Sequence, residues 1–142
     1  MQELVVRKTI KIKTAPENVW DALTTPEITR QYMFDSDVIS DWRTGSPIAY
    51  KEKETVHVRG TIVDIVPGKL LQFTCYGPSS GLDDVPSNYS RVTYELSSED
   101  DHTALSVTQD QFDGDEKRFN DSDKGWDFVL PLLKTLLEHQ NR

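Results

Sequence analysis

Within Gly125-Trp126-Asp127-Phe128-Val129-Leu130-Pro131-Leu132-Leu133-Lys134-Thr135-Leu136-Leu137-Glu138, residues Trp126, Val129, Leu130, Leu133, Leu136 and Leu137 recur at three- and four-residue intervals, with Asp127, Lys134 and Glu138 off that stripe. This is the period of an amphipathic helix with one apolar face. Such a face needs an apolar surface to cover, and most of the chain before it reads as strand. Pro131 lies inside the pattern, where it removes one backbone hydrogen bond and is expected to kink the axis.

At the other end of the chain, residues 4–13 place Leu4, Val6, Ile10 and Ile12 on one face and Arg7, Thr9, Lys11 and Lys13 on the other, the period of two of a half-buried strand. Lys8 interrupts the apolar face and reads as a snorkelling lysine near a sheet edge. Thr14 stands three residues before Glu17 in a capping-box arrangement with Pro16 in the first turn, so a short helix is expected through Leu23. Thr25-Pro26 repeats the signal and leads into a second short helix over 28–32. Extended segments follow at 38–42, 47–53, 55–66, 69–76, 89–97 and 103–112, separated by turn residues such as Pro67-Gly68 and the acidic connection 98–102. Loops this short imply antiparallel pairing.

Gly60 sits where the apolar phase shifts from Val56 and Val58 to Val63 and Ile65, and is expected to mark a bulge that bends the sheet. Residues 77–88, with two prolines and two glycines, read as an exposed loop that could act as a flap. The expected architecture is α+β, a seven-stranded curved antiparallel meander with two short helices between strands one and two and a long C-terminal helix, in one domain spanning residues 1–142.

Composition bounds the function. Sixteen Lys and Arg against twenty-four Asp and Glu give a net charge of −8, which repels phosphate backbones, so no nucleic-acid partner is expected. No apolar run approaches the roughly 20 residues of a membrane-spanning helix, and residues 1–13 lack the apolar core of a signal peptide. One cysteine, Cys75, excludes an internal disulfide and fits a reducing compartment, the cytoplasm.

The opening KTIKIKTAPENVWDALTTPE, with this order of elements, resembles the START/Bet v 1-like helix-grip superfamily, which includes START lipid-transfer domains and the birch pollen allergen. Ala15-Pro16 with Val19-Trp20, Thr25-Pro26-Glu27, Trp42 with Gly45, the strand from Gly60 to Pro67, Leu71 with Phe73, and Gly125-Trp126 are similar to the branch named after the activator of the heat shock protein 90 ATPase. The resemblance implies a sheet wrapped around the C-terminal helix and a cavity of the kind that accepts lipids, sterols or polyketides. The eponymous co-chaperones carry a further N-terminal domain for which a first strand starting near Met1 leaves no room. Holding a ligand is therefore the favoured expectation, with contact to a chaperone as the lesser alternative.

Candidate ligand-binding residues follow from the aromatic and bulky side chains. They are Trp42, Tyr50, Phe73, Tyr76 and Tyr94 in strands, Trp126, Val129, Leu130 and Leu133 on the helix, and Met33 and Phe34 at the mouth. Phe128 belongs to the same aromatic group, and each ring taken alone is ordinary core material. The hydrophobic small molecule would pass Met33, Phe34 and the 77–88 loop. His57 is flanked by Val56 and Val58, which claim the apolar face, so it is expected to point outward. An enzyme of cyclase or hydrolase type would need an inward ionisable group, for which Lys8, His57, Asp64 and Glu95 are the strand candidates.

The acids Asp110, Asp113, Asp115, Glu116, Asp121 and Asp123 lack the alternation of a calcium loop and read as solvated charges near a helix N-terminus. Cys75 has no adjacent histidine and reads as packing. Gly77-Pro78-Ser79-Ser80-Gly81 is no nucleophile elbow, and no phosphate loop or other cofactor motif is present, so no cofactor or metal is expected.

Overall fold

Strand β1 (Val6–Ile12) buries Val6 and Ile12 and leaves Arg7, Thr9 and Lys11 exposed, as the alternation requires. The computed structural model describes residues 3–140, so Met1 and Gln2 of the opening segment lie outside it. Helices α1 (Pro16–Thr24) and α2 (Pro26–Thr29) follow, then β2 (Asp37–Ser40), β3 (Pro47–Glu52), β4 (Thr55–Val66), β5 (Leu70–Cys75), β6 (Ser90–Glu99), β7 (His102–Asp110) and α3 (Glu116–Gln140). The strands form one antiparallel sheet in the order β1-β7-β6-β5-β4-β3-β2. Six strands run as a meander, and β1 closes onto β7, with Val6 opposite Gln109 and Ile12 opposite Thr103. The curved sheet, long C-terminal helix and two short helices are those expected.

Helix α3 buries Trp126, Val129, Leu130, Leu133 and Leu137 against the sheet, and it runs unbroken through Pro131. Ile12, Leu23, Ile48, Ile62, Leu71 and Leu105 complete the core. Lys8 ties α3 to the edge strand, its ammonium 2.9 Å from Asp123 and 2.7 Å from Asp127. Asp127 first and then Asp123 hold the Lys8 pKa above its ordinary value.

Several local expectations are corrected. The first helix has no capping box: its N-cap is Ala15, with no side chain bonding the free N–H groups. Thr14 is instead drawn into the β1–β7 junction, where its carbonyl accepts from the Thr103 hydroxyl at 2.8 Å and its own hydroxyl accepts from Asn18 at 2.9 Å. Thr25 is the N-cap of α2, but its hydroxyl makes no capping bond. The bulges flank Gly60 rather than fall on it. Tyr50 faces Val58 and Lys51 faces Val56, which leaves His57 as the extra residue, and on the other edge the register slips between Ile62 and Asp64. Gly60 itself pairs regularly with Ile48, and a Cβ there would lie 1.7 Å from the Thr74 carbonyl oxygen. Glycine is needed for close backbone approach.

Some of the acids before and within α3 are paired rather than merely solvated, while Asp113 and Glu116 are exposed. Asp110 takes a two-pronged bond from Arg91, Asp115 binds Arg118, and Asp121 binds Lys117. Among the described residues, no group of three or more His, Cys, Asp or Glu side chains is placed to hold a metal ion. No described helix is long and apolar enough to cross a membrane.

Candidate functional site: a cavity between sheet and helix

The inward faces of β3 to β7 and the first half of α3 enclose a cavity of about 290 Å³, open at one side, with almost wholly apolar walls. Four aromatic rings form a continuous arc. Tyr50 and Phe73 have centroids 6.1 Å apart, Phe73 and Tyr94 6.2 Å, and Tyr94 meets Trp126 edge-on at 5.8 Å. Val58, Cys75 and Val92 fill the wall between strands, and Val129 adds the next turn of the helix. Gly125 borders the space, and a Cβ added there would meet nothing within 4 Å, so the helix contributes an open notch.

At the mouth, the chain after α2 carries Met33, Phe34 and Ser36. Phe34 and Asp35 both adopt left-handed backbone angles, φ 51° and 58°, uncommon for residues with side chains. This turn brings the Phe34 ring onto Phe128 of α3, stacked at 5.3 Å, and both rings remain more than half exposed. The rim is completed by Asp121, Ser122 and His57.

The polar groups of the wall are organised. Trp126 Nε1–H donates to Gln109 Oε1 at 2.8 Å, and Gln109 Nε2 donates to Ser90 Oγ at 2.9 Å, so one buried chain fixes the indole against β7. Tyr50 and Tyr94 line the cavity, and burial holds both phenols well above their ordinary pKa. Burial also pushes the Cys75 thiol up to about 11, keeping it protonated at neutral pH. His57 Nε2 lies 2.9 Å from Glu52 Oε1.

Over residues 13–138 the sequence matches the family described as Activator of Hsp90 ATPase homolog 1-like protein. The chain belongs to this family. A solution structure of ChR145 from Cytophaga hutchinsonii is 33% identical, with a TM-score of 0.80, and the match covers 99% of this chain and 98% of the other. The Aha1 dimer of Colwellia psychrerythraea shares the fold at 19% identity and TM-score 0.77, covering 94% and 96% of the two chains. PFC0360w of Plasmodium falciparum, described as an HSP90 activator, does so at 18% identity and TM-score 0.76, with the same 94% and 96% coverage. No protein with a curated description matches the chain.

Within this family fold, Met33, Phe34, Tyr50, Phe73, Tyr94, Trp126 and Val129 are brought together around the cavity. The other four candidates are not. Trp42 lies beyond β2 in a turn, with φ 58° and its N–H on the Ser40 hydroxyl, so it leaves the strand before reaching the cavity. Tyr76 stacks on Tyr89 at 5.1 Å and donates to the Leu82 carbonyl, anchoring the loop that follows. Leu130 and Leu133 are buried in the core without lining the space. Phe128 points outward rather than into the core.

His57 reverses its expected direction, because the bulge interrupts alternation and both His57 and Val58 border the cavity. Asp64 and Glu95 are exposed, and Lys8 is engaged by the two helix acids, so none of the three reaches the cavity wall. None of residues 77–88 lines the cavity, and the loop is held to β4 by Arg59, whose guanidinium is 2.5 Å from Asp84, while Tyr89 donates to the same carboxylate at 2.6 Å. Sequence reasoning missed Gln109 and Gly125. Gln109 had a signal, as the amide that ends the alternating series Thr103, Leu105, Val107 and Gln109, all buried. Gly125 stood among the residues that carry the family resemblance, with nothing in the pattern to show that it borders a cavity.

Proposed function

We propose that this chain is a non-enzymatic binding or carrier protein that holds an apolar small molecule between the sheet and α3. The observation that carries this reading is the cavity of about 290 Å³ walled by Tyr50, Phe73, Tyr94 and Trp126, at the lower end of the size range of small-molecule sites. Apolar walls with a few convergent hydroxyls favour burial of a greasy body with one oriented polar group. The chemical types to test are lipids, flavonoids and polyketide-like compounds. Titration of ¹⁵N-labelled protein with such a panel is expected to move the amides of Tyr94, Gln109 and Gly125, and a panel leaving all of them in place removes the carrier reading.

A second reading, contact with a chaperone, is favoured by the exposed pair Phe34 and Phe128 together with Leu132 one turn further along α3, itself 40% exposed. An apolar surface patch of this kind suits a protein partner. The family description and the HSP90 activator of Plasmodium falciparum point the same way. Phe128→Ala is expected to weaken binding to an Hsp90-type chaperone while leaving the cavity amides responsive to ligand. Unchanged chaperone affinity would count against this surface.

A further inference from the structure

We propose that the cavity selects a neutral, flat, ring-containing molecule carrying a hydrogen-bond-accepting oxygen, and rejects carboxylates and other anions. This rests on the carrier reading and deepens it to a ligand class.

Shape comes first. A volume of about 290 Å³ is too small to enclose a two-chain lipid. The arc of four rings, with neighbouring centroids 5.8 to 6.2 Å apart, offers faces and edges against which a planar ring packs.

Hydrogen bonding fixes the polar requirement. Gln109 has its carbonyl oxygen engaged by Trp126 and its amide nitrogen by Ser90. Tyr50 and Tyr94 both line the cavity, and a phenol O–H facing that space can donate to a ligand oxygen. A ketone, amide or phenol oxygen complements that donor.

Charge decides against anions. No Lys or Arg is among the residues lining the cavity. The nearby cations are committed elsewhere, Lys8 to Asp123 and Asp127, and Arg118 to Asp115 and the carbonyls of Phe112 and Ser87. The rim itself carries Asp121, and behind His57 stands Glu52. An entering carboxylate would surrender its water, meet no counter-charge, and pass acids on the way in. The same environment already disfavours negative charge on the protein's own Tyr50, Tyr94 and Cys75.

The test compares three probes of one skeleton at neutral pH: naphthalene, 2-acetylnaphthalene and 2-naphthoate, each followed by amide shifts and the indole N–H resonance of Trp126. The neutral ketone is expected to bind at least about tenfold more tightly than the carboxylate. In Tyr94→Phe and in Tyr50→Phe its advantage over naphthalene should shrink, two variants guarding against misfolding of either one. Naphthoate binding as well as the ketone through the same cavity amides would overturn the selectivity while leaving the carrier reading intact. Failure of all three probes to move those amides would overturn both.

Discussion

Gly60 shows how one residue can be required for a reason that sequence pattern misstates. The apolar phase does slip around it, but the slip arises at His57 and between Ile62 and Asp64, while Gly60 keeps its partner Ile48. What demands glycine is the Thr74 carbonyl, which a Cβ would approach to 1.7 Å. Gly60→Ala is therefore expected to destabilise by on the order of 3 kcal/mol or more, because backbone on both strands must move, measurable as a fall in the urea midpoint. Trp126 is a second such position, 8% exposed and bonded to Gln109. Trp126→Ala should cost about 3–5 kcal/mol in chemical denaturation; a near-neutral result would contradict the packing of α3 on the sheet.

The loop over 77–88 belongs to the scale of elements. Its composition promised an open flap, yet it contains 3-10 turns at Pro78–Ser80 and Pro86–Asn88 and is pinned by the Arg59–Asp84–Tyr89 cluster. Arg59 also lies over the Tyr76 ring, 5.3 Å from its centre. The Tyr89 hydroxyl first, and then Arg59, hold the Asp84 carboxyl below its ordinary pKa of 3.8. A depressed carboxyl contributes its stabilisation above the unfolded value and loses it as pH falls through the folded one. Acidification below pH 3.8 should therefore release the loop, seen as changed Arg59 and Tyr89 resonances, and Asp84→Asn should give the same spectrum at neutral pH. Persistence of the cluster in that variant would show that stacking of Tyr76 on Tyr89 suffices.

For the whole molecule, the cavity and stability are linked. A ligand that binds the folded state alone, present at about 100 times its Kd, should raise the unfolding free energy by about 2.7 kcal/mol. Gly125→Leu offers the matching control, since the added side chain would extend into open space beside Trp126. Replacing a helical glycine should leave the apo protein unchanged or up to about 1 kcal/mol more stable, while ligand stabilisation disappears. A variant that is stabilised and still binds would place the ligand outside the cavity.

Periodicity and turn signals in the sequence determined the elements and their order: the helical stripe from Trp126 to Leu137 and the alternation of β1 state which face of each is buried, whatever it is buried against. Aromatic bulk within strands singled out Tyr50, Phe73 and Tyr94, and all three border the cavity. Only the tertiary structure decided which apolar side chains border empty space and which fill the core, as with Val129 against Leu130. It also decided the direction of His57, the departure of Trp42 from its strand, and the stacking of Phe34 on Phe128. Each of these depends on a bulge or a left-handed residue that breaks the period, or on distances between elements remote in the chain. A repeating pattern encodes orientation about its own axis and holds no information about either.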